Sequence, residues 1–356
     1  MPAPVPRPHT GLRRGRSGPP PRCTVRSGGA PCETRQNANV DGYRASGLLR
    51  VRRGGGTLLV MKRLSLLLLA MLPLASPAVG QIPRSLRSNL EAGVPPTGTE
   101  VGLALIDLGT GDSLWINAQW RVHAASTMKV PVLIELAQRV DVGQYGWEWP
   151  VLVKNEFQSI VDSSSFQLLV PDDSEKTLFA REGEMVTARE LARLMITWSS
   201  NFATNLLVDQ LGASRIQATA WRLGADSIVV LRGVEDQKAY DRGLSNTTTA
   251  RDLAVLLAAI VEGRAASDSS TAIMIDILTH QRFRQGIPAG VPPGTRVASK
   301  TGGITGINHD AAVIYPTSRP PYVLVILTRG FARPTDAEAY MASISAEVWA
   351  GLVGAP

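Results

Sequence analysis

A chain of 356 residues, 44% of them hydrophobic, can bury one large core or two average ones. The net charge of +7 is uneven: residues 1–60 hold 11 arginines against 2 acidic residues, residues 81–356 carry a net of −4, and the basic total gives no reason to expect a nucleic-acid partner. The body has no cysteine, because Cys23 and Cys32 both lie in the basic leader, and its three histidines (His123, His280, His309) are scattered without an H-E-x-x-H pattern, so no disulfide is available there and a zinc hydrolase is not expected.

Residues 1–60 are rich in Arg, Pro and Gly, lack hydrophobic periodicity and read as disordered. A basic nucleic-acid arm is one reading; translation starting at Met61, which leaves this segment unmade, is the favoured one. From Met61 the chain runs Met-Lys-Arg, an apolar stretch Leu64–Leu74, then Ala78-Val79-Gly80. That order is a charged region, a hydrophobic region and a small-residue cleavage site, so residues 61–80 read as a signal peptide cut near Gly80. The apolar run is short for a membrane span, and an uncleaved anchor is the runner-up. A secreted or periplasmic protein, with no stable membrane span after cleavage, is expected.

The mature chain opens with a short helix over Arg84–Glu91. Strands follow over Val101–Asp107 and Ser113–Asn117, joined by the turn residues Gly109-Thr110-Gly111-Asp112. A buried helix holding Ser126 and Lys129 runs to about Val140. Residues 141–184 read as irregular with one or two short helices. Thr187 and Glu190 form a capping box for a helix with the stripe Leu191, Leu194, Met195 and Trp198. Ser199-Ser200-Asn201 ends it, a helix over Phe202–Leu211 stops at Gly212, and Thr249 caps another bearing Leu253, Leu256, Leu257 and Ile260. Strands return at Thr295–Ser299, Ala311–Tyr315 and Tyr322–Leu327. A last helix starts at Thr335 with Glu338 as capping partner. The fold class is therefore α+β: an antiparallel β-sheet built from the N- and C-terminal strands with flanking helices, plus an all-helical middle lobe. The active site is expected between them, in one domain over residues 85–354.

On a helix, positions i and i+3 share a face, so the Ser126 hydroxyl and the Lys129 amine can touch. A serine needs a neighbouring base to become a nucleophile, and a lysine serves when burial or nearby positive charge lowers its pKa. The helix start adds backbone N–H groups for a developing oxyanion. Two further triplets follow in order, Ser199-Ser200-Asn201 and Lys300-Thr301-Gly302. Singly, each reads as a helix cap or a solvated charge at a strand end.

The ordered set resembles the serine acyl-enzyme family of class A β-lactamases and penicillin-binding proteins. The likeness extends to Phe-Ala-Thr-Asn-Leu-Leu after Asn201 and to His309-Asp310-Ala311-Ala312-Val313-Ile314-Tyr315-Pro316. It implies that Ser126 is acylated, that Lys129 helps deprotonate it, and that Ser199 passes a proton to the leaving nitrogen with support from Lys300. It further implies that Thr301 bonds the substrate carboxylate, that Asn201 holds the side-chain amide, and that the N–H groups of Ser126 and Gly303 form the oxyanion hole. No cofactor and no metal is implied, and a monomer is expected.

A β-lactamase also needs a base for deacylation. The resemblance points to Glu235, on a loop before Thr247-Thr248-Thr249. The usual Glu-x-x-Leu-Asn pattern is absent, with Lys238 and Ala239 where Leu and Asn are expected, and Ser200 replaces the usual Asp of the second motif. Arg242 either pins this loop through an acid or stays solvated. His309 either reaches the substrate carboxylate or packs beside Asp310. The reading is a secreted serine β-lactamase contributing to antibiotic resistance. The alternatives are a D-Ala-D-Ala peptidase or related hydrolase that deacylates β-lactams slowly, and a non-enzymatic β-lactam-binding sensor.

Overall fold

The computed structural model describes residues 81–95 and 98–354. The expectations for the basic leader and the signal peptide lie outside the described residues. The first helix, α1 (Arg84–Ala92), leads to β1 (Glu100–Asp107), β2 (Ser113–Ile116) and β3 (Val122–His123). The β1–β2 turn carries Gly111 at φ 75°, the left-handed conformation that glycine takes without steric cost.

The Ser126 segment departs from a plain helix start. Ala125–Met128 form a 3-10 turn, and α2 (Lys129–Asp141) begins only at Lys129. Residues 142–184 hold no α-helix. They contain β4 (Pro150–Leu152), β5 (Phe157–Gln158), β6 (Ser165–Phe166) and 3-10 turns at Val170–Asp172 and Thr177–Arg181, and β7 (Met185–Thr187) follows.

Three helices follow: α3 (Ala188–Thr197), α4 (Asn201–Leu211) and α5 (Ala213–Arg222). Thr187 caps α3 by accepting from the Glu190 backbone N–H, as the sequence predicts. The Glu190 carboxylate pairs with Arg181 instead of closing the box. The second half adds α6 (Gln237–Asp241), β8 (Thr247–Thr248), α7 (Ala250–Val261) and α8 (Asp268–Thr279). It ends with β9 (Arg296–Ile304), β10 (Ile307–Tyr315), β11 (Tyr322–Arg329) and α9 (Pro334–Leu352). The last helix starts on Pro334, whose fixed φ suits the first turn, so Thr335 is not its cap.

The terminal strands form one five-stranded antiparallel sheet in the order β2-β1-β11-β10-β9. Alternation sorts its side chains to two faces. Leu103, Leu105, Leu324 and Ile326 pack against Leu86 and Leu90 of α1 and Met341, Ile344 and Val348 of α9. Ala104, Val323, Val325 and Leu327 face the helical lobe through Leu253, Leu256 and Leu257 of α7. Both faces are covered, so β11 is buried along seven of its eight residues. The central helix α2 is buried over Lys129–Ala137 between α4, α5, α7 and α8. Its N-terminus and that of α4 meet β9, the sheet's edge strand, across a cleft. Among the described residues no helix is long and apolar enough to cross a membrane.

Candidate active site

Ser126, Ser199, Asn201, Glu235, Thr301, Gly303 and His309 line this cleft together. Lys129 and Lys300 lie beneath its floor, each 0% exposed. Every residue that the three motifs single out is thus brought to one place from three parts of the chain, and Glu235 joins them from a fourth.

Local backbone forces the arrangement. Ala125 (φ 44°), Ser199 (φ 57°) and Glu235 (φ 62°) all adopt the left-handed region without being glycine. Each costs about 1–3 kcal/mol and persists where its surroundings over-determine it. Ala125 turns the chain so that Ser126 stands on the 3-10 turn above Lys129. Gly302 of β9 runs so close to this turn that an added Cβ lies 3.1 Å from Ser126 N and 3.0 Å from Thr127 N. A side chain there crowds this turn, and the close backbone approach brings the strand bearing Gly303 against Ser126.

The Lys129 ammonium group donates to Ser199 O at 2.7 Å, to Asn201 Oδ1 at 2.9 Å and to Ser199 Oγ at 3.2 Å. No hydrogen bond joins it to Ser126, so the predicted direct contact is replaced by one through the second motif. Burial pulls the Lys129 amine down to about 7, against the opposing pull of the Asp173 and Glu235 charges. A large neutral fraction at neutral pH follows. A neutral amine still satisfies the two carbonyl oxygens with its two N–H bonds, leaving its lone pair for a serine proton.

Lys300 Nζ donates to Ser199 Oγ at 3.0 Å and to Thr301 O at 2.9 Å. Burial, then the Lys129 charge, holds it well below the usual lysine range. Ser199 Oγ thus sits between two amines and can relay a proton. Asn201 joins the two halves of the site: its Oδ1 accepts from Lys129, and its Nδ2 donates to Glu235 Oε1 at 2.8 Å. The Glu235 side chain reaches solvent, yet partial burial of its carboxylate and the charge of Asp172 push its pKa up.

Several residues that hold the site carry no motif signal. Asn205 Oδ1 accepts from Val234 N at 2.6 Å, and its Nδ2 donates to Val234 O at 2.9 Å. A Cβ on Gly233 would lie 2.3 Å from Asn205 Oδ1, so only glycine fits beneath the loop. The arginine that pins the loop is Arg232, which donates to Leu244 O at 2.9 Å and to Gly233 O at 3.1 Å. Arg242 is exposed and makes no ion pair among the described residues. Lys238 turns away to Asp162 at 2.9 Å, Ala239 is buried, and the Gln237 amide donates to Asp241 at 2.6 Å.

His309 lines the cleft but is 1% exposed. Its Nε2 lies 3.0 Å from His123 O, and its Nδ1 lies 2.8 Å from Asn308 O and 3.2 Å from Thr328 N. Burial pulls its pKa down to about 4, against the opposing pull of the two carbonyl contacts. It offers no cation to a carboxylate. Strand alternation sends Asp310 to the other face, where its Oδ2 accepts from Ile287 N at 2.9 Å.

The geometry has counterparts among known proteins. A β-lactamase of Amycolatopsis lactamdurans is 28% identical over 249 residues, 68% of this chain and 77% of that one. The solved structure of PBP-A is 26% identical with a TM-score of 0.65, covering 74% of this chain and 94% of that one. A β-lactamase from Sphaerobacter thermophilus DSM 20745 is 25% identical with a TM-score of 0.64, covering 76% and 97%. The model of the beta-lactamase enzyme family matches residues 85–352, and with a serine, two buried lysines and a carboxylate converging on one cleft, the chain belongs to that family as a class A-like serine enzyme.

Proposed function

We propose that this protein is exported and hydrolyses the β-lactam amide through an acyl-enzyme on Ser126, contributing to β-lactam resistance. Neutral Lys129 accepts the Ser126 proton, directly or through Ser199, and Oγ attacks the carbonyl carbon. The N–H groups of Ser126 and Gly303 hold the oxyanion. As the C–N bond breaks, Ser199 gives its proton to the nitrogen and regains one from Lys129 or Lys300. Glu235 then takes a proton from a water whose oxygen attacks the ester, and as the bond from the carbonyl carbon to Ser126 Oγ breaks the departing oxygen takes up that proton, which restores the hydroxyl and the Glu235 carboxylate.

The observation that supports this reading is the link Lys129–Asn201–Glu235, in which one amide bonds both the amine read here as the acylation base and the carboxylate read as the deacylation base. The leader at residues 61–80 supports export. A second reading keeps the nucleophile and makes deacylation slow, as in a penicillin-binding peptidase. It is favoured by the loop after Glu235, where Lys238 and Ala239 stand in place of the expected Leu and Asn. Purified protein mixed with a chromogenic cephalosporin separates them. Sustained turnover with little adduct by intact mass supports the hydrolase; one stoichiometric burst with a stable adduct supports the slow enzyme.

A further inference from the structure

Asp173 is a buried carboxylate, 3% exposed, on the segment between two 3-10 turns. Its Oδ2 accepts from Phe202 N at 2.7 Å and from Ser200 Oγ at 3.1 Å, and its Oδ1 accepts from Glu175 N at 2.9 Å. Ser200 Oγ in turn accepts from Ala203 N at 3.1 Å. The free N–H groups of the first turn of α4 are therefore shared by two side chains that lie 27 residues apart. The second motif carries serine where the resemblance leads one to expect aspartate. The carboxylate stands beside that position all the same, on a different piece of chain.

We infer that Asp173 is a positioning residue that supplies from the neighbouring loop the carboxylate missing from the Ser-Ser-Asn motif, and so fixes Ser199 and Asn201 for reaction. The inference rests on the acyl-enzyme reading above. Ser199 is held in a left-handed conformation that needs support on both sides. Ser200 and Phe202, the residues that follow it, are the two that Asp173 grips. Ser199 O and Asn201 Oδ1 are in turn acceptors for Lys129, so a shift of this turn reaches the base. An anion at the start of α4 also suits the helix dipole. The same charge favours protonated Lys129, opposing the effect of burial. Asp172 and Ser174 line the cleft on either side of Asp173, which joins the cleft wall to the Ser199 turn through one side chain.

The test is a swap in the full-length protein: Asp173→Ser, Asp173→Asn and the double variant Asp173→Ser/Ser200→Asp. Aspartate is as good a helix cap as serine, so the double variant returns a carboxylate to the same turn. The readouts are kcat/KM for a chromogenic cephalosporin against pH, adduct by intact mass, and melting temperature. The single variants are expected to lose about 10–100-fold in kcat/KM, the scale of a misplaced catalytic group. Their acid limb is expected to move to lower pH, because Lys129 loses a charge that raises its pKa. The double variant is expected to recover most of the rate and return the limb. Single variants with wild-type rate and limb overturn the inference. So does a double variant that melts like wild type but stays as slow as Asp173→Ser. If Asp173→Ser does not fold, the double variant decides: folding with near-wild-type acylation supports the inference, and failure to fold overturns it. Wild-type protein that forms no Ser126 adduct and turns nothing over removes the acyl-enzyme reading itself, and the inference with it.

Discussion

Asn205 grips the peptide of Val234 from both sides, donating to its carbonyl and accepting from its N–H. Val234 is the residue before Glu235, so this pair of bonds sets where the carboxylate points. Asn205→Ala leaves both backbone groups unpaired, at about 1–3 kcal/mol for each that stays buried. We expect deacylation to slow by about tenfold or more while acylation changes little, seen as acyl-enzyme accumulating in intact-mass spectra. Gly233→Ala, whose methyl collides with the Asn205 amide, is expected to do the same. Wild-type turnover in both variants would show that the loop is held elsewhere.

Two variants separate the chemical steps. Ser126→Ala is expected to form no covalent adduct with a labelled penicillin. Glu235→Gln keeps the hydrogen bond from Asn201 and loses the base, so adduct is expected to form and persist. Adduct on Ser126→Ala protein would remove the nucleophile assignment.

The rate of acylation is expected to rise with pH through about 7, where Lys129 loses its proton. Lys129 and Lys300 share Ser199, so the apparent value belongs to the pair. Stopped-flow acylation between pH 5 and 9 checks this. A flat profile would exclude a neutral amine as the base.

His309 links pH to stability. Its folded pKa of about 4 lies below the ordinary 6.5, so the unfolded chain binds the proton first as pH falls. Its contribution is complete above about 6.5 and is lost on the way down to about 4. A displacement of that size corresponds to about 3 kcal/mol. Asp310, pushed up to about 7 by burial, titrates in the opposite sense, so the total curve is not the readout. The difference between wild type and His309→Asn is: denaturant unfolding is expected to show that gap shrinking by about 3 kcal/mol from pH 7 to pH 4. An unchanged gap would mean that the ring is not buried neutral.

Arg232→Ala is expected to lower the melting temperature and slow deacylation, because its guanidinium ties Gly233 to Leu244. Arg242→Ala is expected to be silent in both measurements. The reverse result would mean that the loop is pinned through its exposed arginine.

Periodicity exposed the long elements because each buries one stripe. The five strands of the main sheet, α3, α4, α7 and α9 stand close to where apolar spacing and caps put them. Three helices escaped that reading. α6 is only five residues long, too short to show a stripe. α5 buries only Ile216, Thr219 and Ala220, and it starts at Gly212 without a side-chain cap. α8 is capped by Ser267, but Ile273, Met274, Ile275, Ile277 and Leu278 run too densely to reveal a stripe. In the site, the residues of the three motifs are legible because each motif keeps a fixed short spacing. Residues that hold them are not. Asn205, Asp173 and Arg232 act across long sequence separations on backbone groups, and no spacing rule marks a side chain whose partner is a distant peptide. The surroundings of His309 are hidden for a related reason: a histidine beside a motif looks available, while burial and the backbone of His123, Asn308 and Thr328 surround its ring.

The central pair of the sheet, β1 with β11, joins Glu100–Asp107 to Tyr322–Arg329. The sheet therefore cannot close until nearly the whole chain is available, and closing so large a loop makes assembly slow. A nascent chain holds β1 and β2 as an unfinished two-stranded edge, with the apolar helix α7 only partly covered. Such a chain stays open and is exposed to aggregation until β10 and β11 arrive. The topology makes these late strands the step that commits the protein to its folded state.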